Sequence, residues 1–123
     1  MTHSPGSRIL VVEDETRLAH LLADYLVSAG FAADCLGDGR EVVPWVKAHS
    51  PDLIVLDVMM HNIDGWQVLS ELRHEPATSH IPVVVCTVLP LEEMALALGA
   101  NAFLQKPVSQ QQFLHMLDHQ DIL

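Results

Sequence analysis

Leu53-Ile54-Val55-Leu56-Asp57 decides the fold: four apolar residues without a break, then a carboxylate. A run this short and this apolar reads as a strand buried on both faces, as in the parallel sheets of α/β proteins. Its last residue then falls at the carboxyl edge of the sheet, where such proteins place their sites. Three other segments repeat the pattern. Ile9-Leu10-Val11-Val12 precedes Glu13-Asp14, Val83-Val84-Val85-Cys86 precedes Thr87, and Ala102-Phe103-Leu104-Gln105 precedes Lys106-Pro107. Three carboxylates, a hydroxyl and an ammonium are thus each set just past an apolar strand.

Helix-period segments separate these runs. Glu15-Thr16 opens a helix with Leu18, Leu21, Leu22, Tyr25 and Leu26 on one stripe, and Gly30 stops it. A weaker strand spans Phe31 to Leu36, and Gly37-Asp38-Gly39 reads as a turn. Val42, Val43 and Val46 mark a second helix, with Pro44 in its first turn, and Ser50-Pro51-Asp52 breaks the chain. Asp64-Gly65 begins a third helix carrying Trp66, Val68, Leu69 and Leu72, followed by a loop from Glu75 to His80. The fourth strand is expected from Ile81 to Cys86 and a short fourth helix from Glu92 to Leu98, stopped by Gly99-Ala100-Asn101. Ser109 with Gln112 forms a capping box for a last helix bearing Phe113, Leu114, Met116 and Leu117. Strands alternating with helices predict βαβ units with right-handed crossovers. The expected fold is α/β, a doubly wound, flavodoxin-like, five-stranded parallel sheet with five helices. Strand order 2-1-3-4-5 brings Glu13, Asp14 and Asp57 together at the switch point.

The 123 residues suit one domain. Residues 1–7 read as a polar flexible tail, 8–120 as the domain and 121–123 as a C-terminal tail. No apolar run approaches the roughly 18 residues of a membrane span, and the start lacks a signal-peptide core. A cytoplasmic protein without membrane attachment is expected. The net charge of −10 argues against direct nucleic-acid binding, which needs a basic face. Cys35 and Cys86 lie in apolar segments and read as buried free thiols. The eight histidines show neither HxH nor HExxH spacing. They read as surface residues, although His115 and His119 are one helical turn apart and would share a face.

Crowded carboxylates repel: at about 4 Å two unit charges cost about 4 kcal/mol at an effective dielectric near 20. A hard cation relieves that repulsion, and Mg²⁺ suits carboxylate oxygens while leaving positions for a phosphate. The pattern therefore points to phosphoryl chemistry. Asp57 would be the nucleophile, Glu13 and Asp14 metal ligands, and Lys106 a point charge on the phosphoryl oxygens. Thr87 would donate a hydrogen bond. Each residue alone also has an ordinary reading as a turn cap, a loop start or a solvated side chain. The ordered placement after successive strands is what carries the signal.

These stretches, with Asp64-Gly65 and Gly99-Ala100-Asn101, make residues 8–120 resemble a receiver domain of a two-component response regulator. The resemblance implies that Asp57 accepts a phosphoryl group from a phosphohistidine on a histidine kinase or histidine phosphotransfer protein. It implies Mg²⁺ held by Glu13, Asp14, Asp57 and the backbone carbonyl of Met59, with Thr87 and Phe103 as the switch pair. It implies a signalling switch that turns over no external substrate. A fused output domain or a partner protein would be met by the face of helix 4, strand 5 and helix 5.

Four features depart from that pattern. His61, followed by Asn62-Ile63, stands where a proline is usual, so the loop before Asp64-Gly65 is expected to be differently shaped or looser. Val88 stands where the residue is commonly small, so phosphoryl access is at issue. The segment from Thr87 to Lys106 is short, as in receivers attached to hybrid kinases. Its apolar residues Leu89, Leu91, Met94, Leu96 and Leu98 fit either a tightly buried short helix or a partner surface. Met59 and Leu89 flank the expected path of the hydrolytic water and are both apolar, which predicts a long-lived phosphoryl-aspartate. A pseudo-receiver, with the same fold but no phosphotransfer, is the competing reading. An aspartate-nucleophile phosphatase usually wants a second acid where Met59 stands. A Rossmann domain would need a glycine-rich loop after the first strand, where Glu13-Asp14-Glu15 stands instead.

Overall fold

The computed structural model describes residues 7–61 and 63–120. The expected tails lie outside them except for Ser7, as does the side chain of His119. The elements run β1 (Arg8–Val12), α1 (Thr16–Ser28), β2 (Ala32–Leu36), a 3-10 turn (Gly39–Glu41), α2 (Val42–His49) and β3 (Leu53–Leu56). They continue with α3 (Gly65–His74), β4 (Val83–Thr87), α4 (Glu92–Ala97), β5 (Ala102–Gln105) and α5 (Gln110–Gln120). The strands form one parallel sheet in the order β2-β1-β3-β4-β5, as the sequence pattern predicts.

Alternation along the strands divides the core in two. Ile9, Val11, Leu53, Val55, Val84 and Cys86 pack on one face with Leu22, Leu26 and Phe113 from α1 and α5. Leu10, Val12, Ile54, Leu56, Val83 and Val85 pack on the other with Val46 of α2, Leu69 and Leu72 of α3 and Ala95 of α4. Both faces of β1, β3 and β4 are covered, which is why these strands read as unbroken apolar runs. Helix α1 ends in a Schellman motif: Phe31 N–H bonds Leu26 O and Gly30 N–H bonds Val27 O, with Gly30 at φ +98°. The Ser109–Gln112 capping box forms in both directions. The Lys106–Pro107 peptide bond is cis.

Several local expectations change. Leu21 is exposed, and the buried stripe of α1 is Ala19, Leu22 and Leu26. Cys35 is free as expected but exposed, on the edge strand β2, where its thiol meets Ala19 O of α1. Strand β4 starts at Val83, later than Ile81, and includes Thr87, which pairs with Gln105. The turn after β2 is carried by Asp38, whose carboxylate caps the 3-10 turn. Helix α4 buries only Ala95, leaving Leu91, Met94, Leu96 and Leu98 exposed, so the tightly buried reading does not hold. A half-buried Arg73 bridges elements without any sequence signal. Its guanidinium donates to Gly99 O, Ile81 O and Asn101 Oδ1, tying α3 to the segments flanking β4 and β5.

Candidate functional site

Glu13, Asp57 and Lys106 each stand one step past a strand and Thr87 ends one, and for the first three the neighbouring strand fixes the backbone. Glu13 N–H donates to Leu36 O, Asp57 N–H to Val12 O and Lys106 N–H to Thr87 O, at 3.0, 3.0 and 2.8 Å. The ladders thus run on for one more bond and aim these side chains across a single edge. Residues separated by tens of positions meet there because strand order places β1 between β2 and β3, and β4 between β3 and β5.

Lys106 is the hub. Its Nζ donates to Asp57 Oδ2 at 2.9 Å and also to Glu13 Oε1. Glu13 and Asp57 are buried, and the Lys106 side chain is 13 % exposed. The second Asp57 oxygen accepts the Met59 N–H at 3.0 Å, so the carboxylate plane is held from both sides. Carboxylate oxygens of Glu13, Asp14 and Asp57 lie within 4.8 Å of one another. One lysine cannot neutralise three acids, and a hard divalent cation fits this all-oxygen donor set.

The electrostatics follow from this crowding. Burial raises the Glu13 carboxyl above its ordinary value, and the Asp57 charge adds to the rise, while the Lys106 hydrogen bond opposes it. Burial works against the Lys106 charge, yet its bonds to Glu13 and Asp57 prevail and its pKa rises. Burial also acts to raise Asp14, but the ring and backbone N–H of His61 outweigh it and hold Asp14 below the usual range. Burial pushes the Cys86 thiol, behind the site, up to about 11.

Thr87 is fully buried, and its Oγ1 has no hydrogen-bond partner among the described residues. A buried hydroxyl without a partner costs about 1–3 kcal/mol, so this group is suited to a partner that arrives later. Phe103 pairs with Val85 across β4 and β5, and Val85 and Thr87 share a face. Phe103 is half-buried against that face. It also lines an open cavity of about 460 Å³ between α4, β5 and α5, with Leu96 and Met116. Met59, whose N–H meets Asp57, and Val88, which follows Thr87, are exposed.

The sequence reading therefore finds Glu13, Asp14, Asp57 and Lys106 gathered, and Thr87 and Phe103 on one face. It singles out His61 as a departure in its loop but not the contact that residue makes with Asp14. The His61 N–H donates to Asp14 Oδ2 at 2.9 Å, and the ring Nδ1 bonds the same oxygen. No local pattern encodes a loop contact of this range.

A family description, the response regulator receiver domain, matches residues 9–118. The chain is 41% identical over 106 residues to the transcriptional regulatory protein BaeR of Escherichia coli O6:H1, covering 83% of this chain and 42% of BaeR. It thus spans less than half the length of that relative. The signal receiver domain of a signal transduction histidine kinase from Syntrophus aciditrophicus superimposes with TM-score 0.84 at 30% identity, over 94% of this chain and 89% of that one. The chemotaxis response regulator CheY4 of Vibrio cholerae superimposes with TM-score 0.87 at 23% identity, over 94% and 98%, and bears on the fold alone. With the family match over nearly all the described residues and the acidic edge in place, this chain belongs to the response regulator receiver domains of two-component systems.

Proposed function

We propose that Asp57 is the phosphoacceptor of a Mg²⁺-dependent phosphotransfer from a phosphohistidine on a histidine kinase or histidine phosphotransfer protein. The observation that carries this is the Lys106 ammonium, which joins Asp57 to Glu13 across the sheet edge. An Asp57 oxygen attacks phosphorus in line, the P–N bond breaks, and the departing imidazole takes a proton. Lys106 follows the charge to the phosphoryl oxygens, and Thr87 gives its unused hydroxyl hydrogen to one of them. Mg²⁺, held by Glu13, Asp14, Asp57 and the Met59 carbonyl, would supply neutralisation of the incoming phosphoryl charge.

The product carries nearly two negative charges (about −1.5 to −2 for ordinary phosphoresidues) where the free domain has one carboxylate. That charge favours the conformation in which Thr87 and Lys106 engage it, and Phe103 on the same face repacks with Thr87. The exposed apolar residues of α4 and the cavity beside Phe103 support an output contact on the α4–β5–α5 face, with a fused domain or a separate protein. The reading is of a switch without external turnover, placed in the cytoplasm, with the domain over 8–120. No helix among the described residues is long and apolar enough to cross a membrane.

Beryllofluoride with Mg²⁺ mimics the phosphoryl group and tests the switch by NMR. Amide shifts are expected at Thr87, Phe103 and Lys106. Unchanged spectra at saturating analogue would favour the pseudo-receiver.

A further inference from the structure

The exposed apolar surface is not spread evenly. Of the eight large hydrophobic side chains exposed among the described residues, Leu91, Met94, Leu96 and Leu98 lie on or beside α4, each between 37% and 46% exposed. Helical spacing puts Leu91, Met94 and Leu98 along one shoulder of α4 and Leu96 with Glu92 on the other. Leu96 and Glu92 line the cavity that Phe103 and Met116 also border, so the apolar surface runs from α4 into the groove against β5 and α5. Contiguous apolar surface rimmed by charge marks a contact site. The charge here has one sign. From Val88 to Gln120 the sequence carries Glu92, Glu93 and Asp118, against Lys106 as its one lysine and no arginine. Lys106 is already held by Glu13 and Asp57. Arg73 reaches the end of α4, but its guanidinium is turned onto Gly99 O, Ile81 O and Asn101 Oδ1. Glu92 and Glu93 are exposed and form no ion pair among the described residues.

We propose that this face docks a basic amphipathic helix of a partner protein. Leucine-sized anchors at helical spacing enter the groove and lie over α4, while flanking lysines or arginines meet Glu92 and Glu93. The proposal rests on the output contact lying on the α4–β5–α5 face, and it gives that contact its chemistry. Charge selects the occupant. A second copy joined through a two-fold axis sets the patch against itself, acids to acids, with no cation between them. Nucleic acid and anionic lipid carry the same sign as the face. A groove bordered by two helices takes the apolar stripe of a third. The acids steer and orient such a partner, and the apolar anchors hold it. Phe103 borders the groove and shares a face with Thr87, so the shape of the groove follows the state of the switch.

The probe is a synthetic leucine–lysine peptide of about 14 residues, about four turns of helix, blocked at both ends and apolar along one face. It is titrated into the whole chain, labelled with ¹⁵N, at low salt. Two control peptides have its length: one redistributes the leucines so that no face is apolar, the other carries glutamate in place of lysine. Amide shifts are expected at Leu91, Met94, Leu96 and Phe103, with both controls binding about tenfold more weakly or worse. Glu92→Gln with Glu93→Gln removes the charge at constant shape and should weaken the lysine peptide about fivefold, as for two exposed ion pairs. Leu96→Ser leaves the charges intact and should weaken it about tenfold. Equal binding of all three peptides, shifts scattered over acids elsewhere such as Asp24 and Glu71, or full affinity in the glutamine pair overturns the proposal. Sedimentation as a dimer, with the α4 amides shifting on concentration, makes a second copy the occupant and overturns it as well. If the lysine peptide maps to α4 and beryllofluoride with Mg²⁺ leaves its affinity unaltered, the docking chemistry is upheld and the switch reading fails.

Discussion

Lys106 balances two carboxylates that the fold has taken out of water, and single-residue changes there should be felt both in stability and in chemistry. Removing one partner of a buried ion pair leaves uncompensated charge, so Lys106→Met is expected to cost about 3 kcal/mol in metal-free buffer. Urea unfolding would measure this, and added Mg²⁺ should return part of the loss by replacing the missing cation. An unchanged midpoint would mean that the ammonium does not hold the acids. Thr87→Val has the opposite sign. It replaces an unpartnered buried hydroxyl with a methyl, and should stabilise the unphosphorylated domain by about 1 kcal/mol. The same variant should lose the beryllofluoride shift at Phe103. Met59 and half-buried Leu89 offer no hydrogen bond to a hydrolytic water. The phosphoryl-aspartate is therefore expected to decay over many minutes in Mg²⁺ buffer, and a half-life of seconds would contradict this.

Strands β2 and β4 show how position in the sheet sets side-chain behaviour. Cys86 lies in the fully covered β4, and its thiol is pushed from the ordinary 9.0 up to about 11 by burial. The folded state holds this proton more tightly than the unfolded state does. Its contribution to stability is thus complete below the ordinary pKa and is lost as pH rises through about 11. Cys86→Val should flatten that alkaline loss in urea melts, whereas an unaltered slope would exclude the thiol as its cause. Cys35 lies on the sheet edge, exposed, with its thiol on Ala19 O. The sequence does not distinguish these two cysteines, since both sit in apolar strands and strand order alone makes one an edge. Helix α4 carries a similar lesson. Its leucines and methionine look like core by composition, but a helix of six residues has one turn to offer the sheet, and Ala95 fills it.

Across the whole molecule, what the sequence makes legible is what repeats with a short period. Four apolar runs ending in polar residues, helical spacing between them and glycine stops after α1 and α4 are enough for the sheet, its order and the gathering of Glu13, Asp14, Asp57 and Lys106. Contacts between distant loops have no period. The His61 bond to Asp14 and the Arg73 bridge across Gly99, Ile81 and Asn101 emerge only from the folded chain. The net charge of −10 is concentrated in part at this edge, which sets the molecule up to receive a cation and resist bare anions. On the function proposed, everything follows from phosphorylation of one carboxylate there, Asp57. The direct test is transfer of radiolabelled phosphate from a small phosphodonor in Mg²⁺ to the wild type and to Asp57→Asn. One label per chain on the wild type and none on the variant is the result expected; equal labelling of both, or none on either, would contradict the assignment of Asp57.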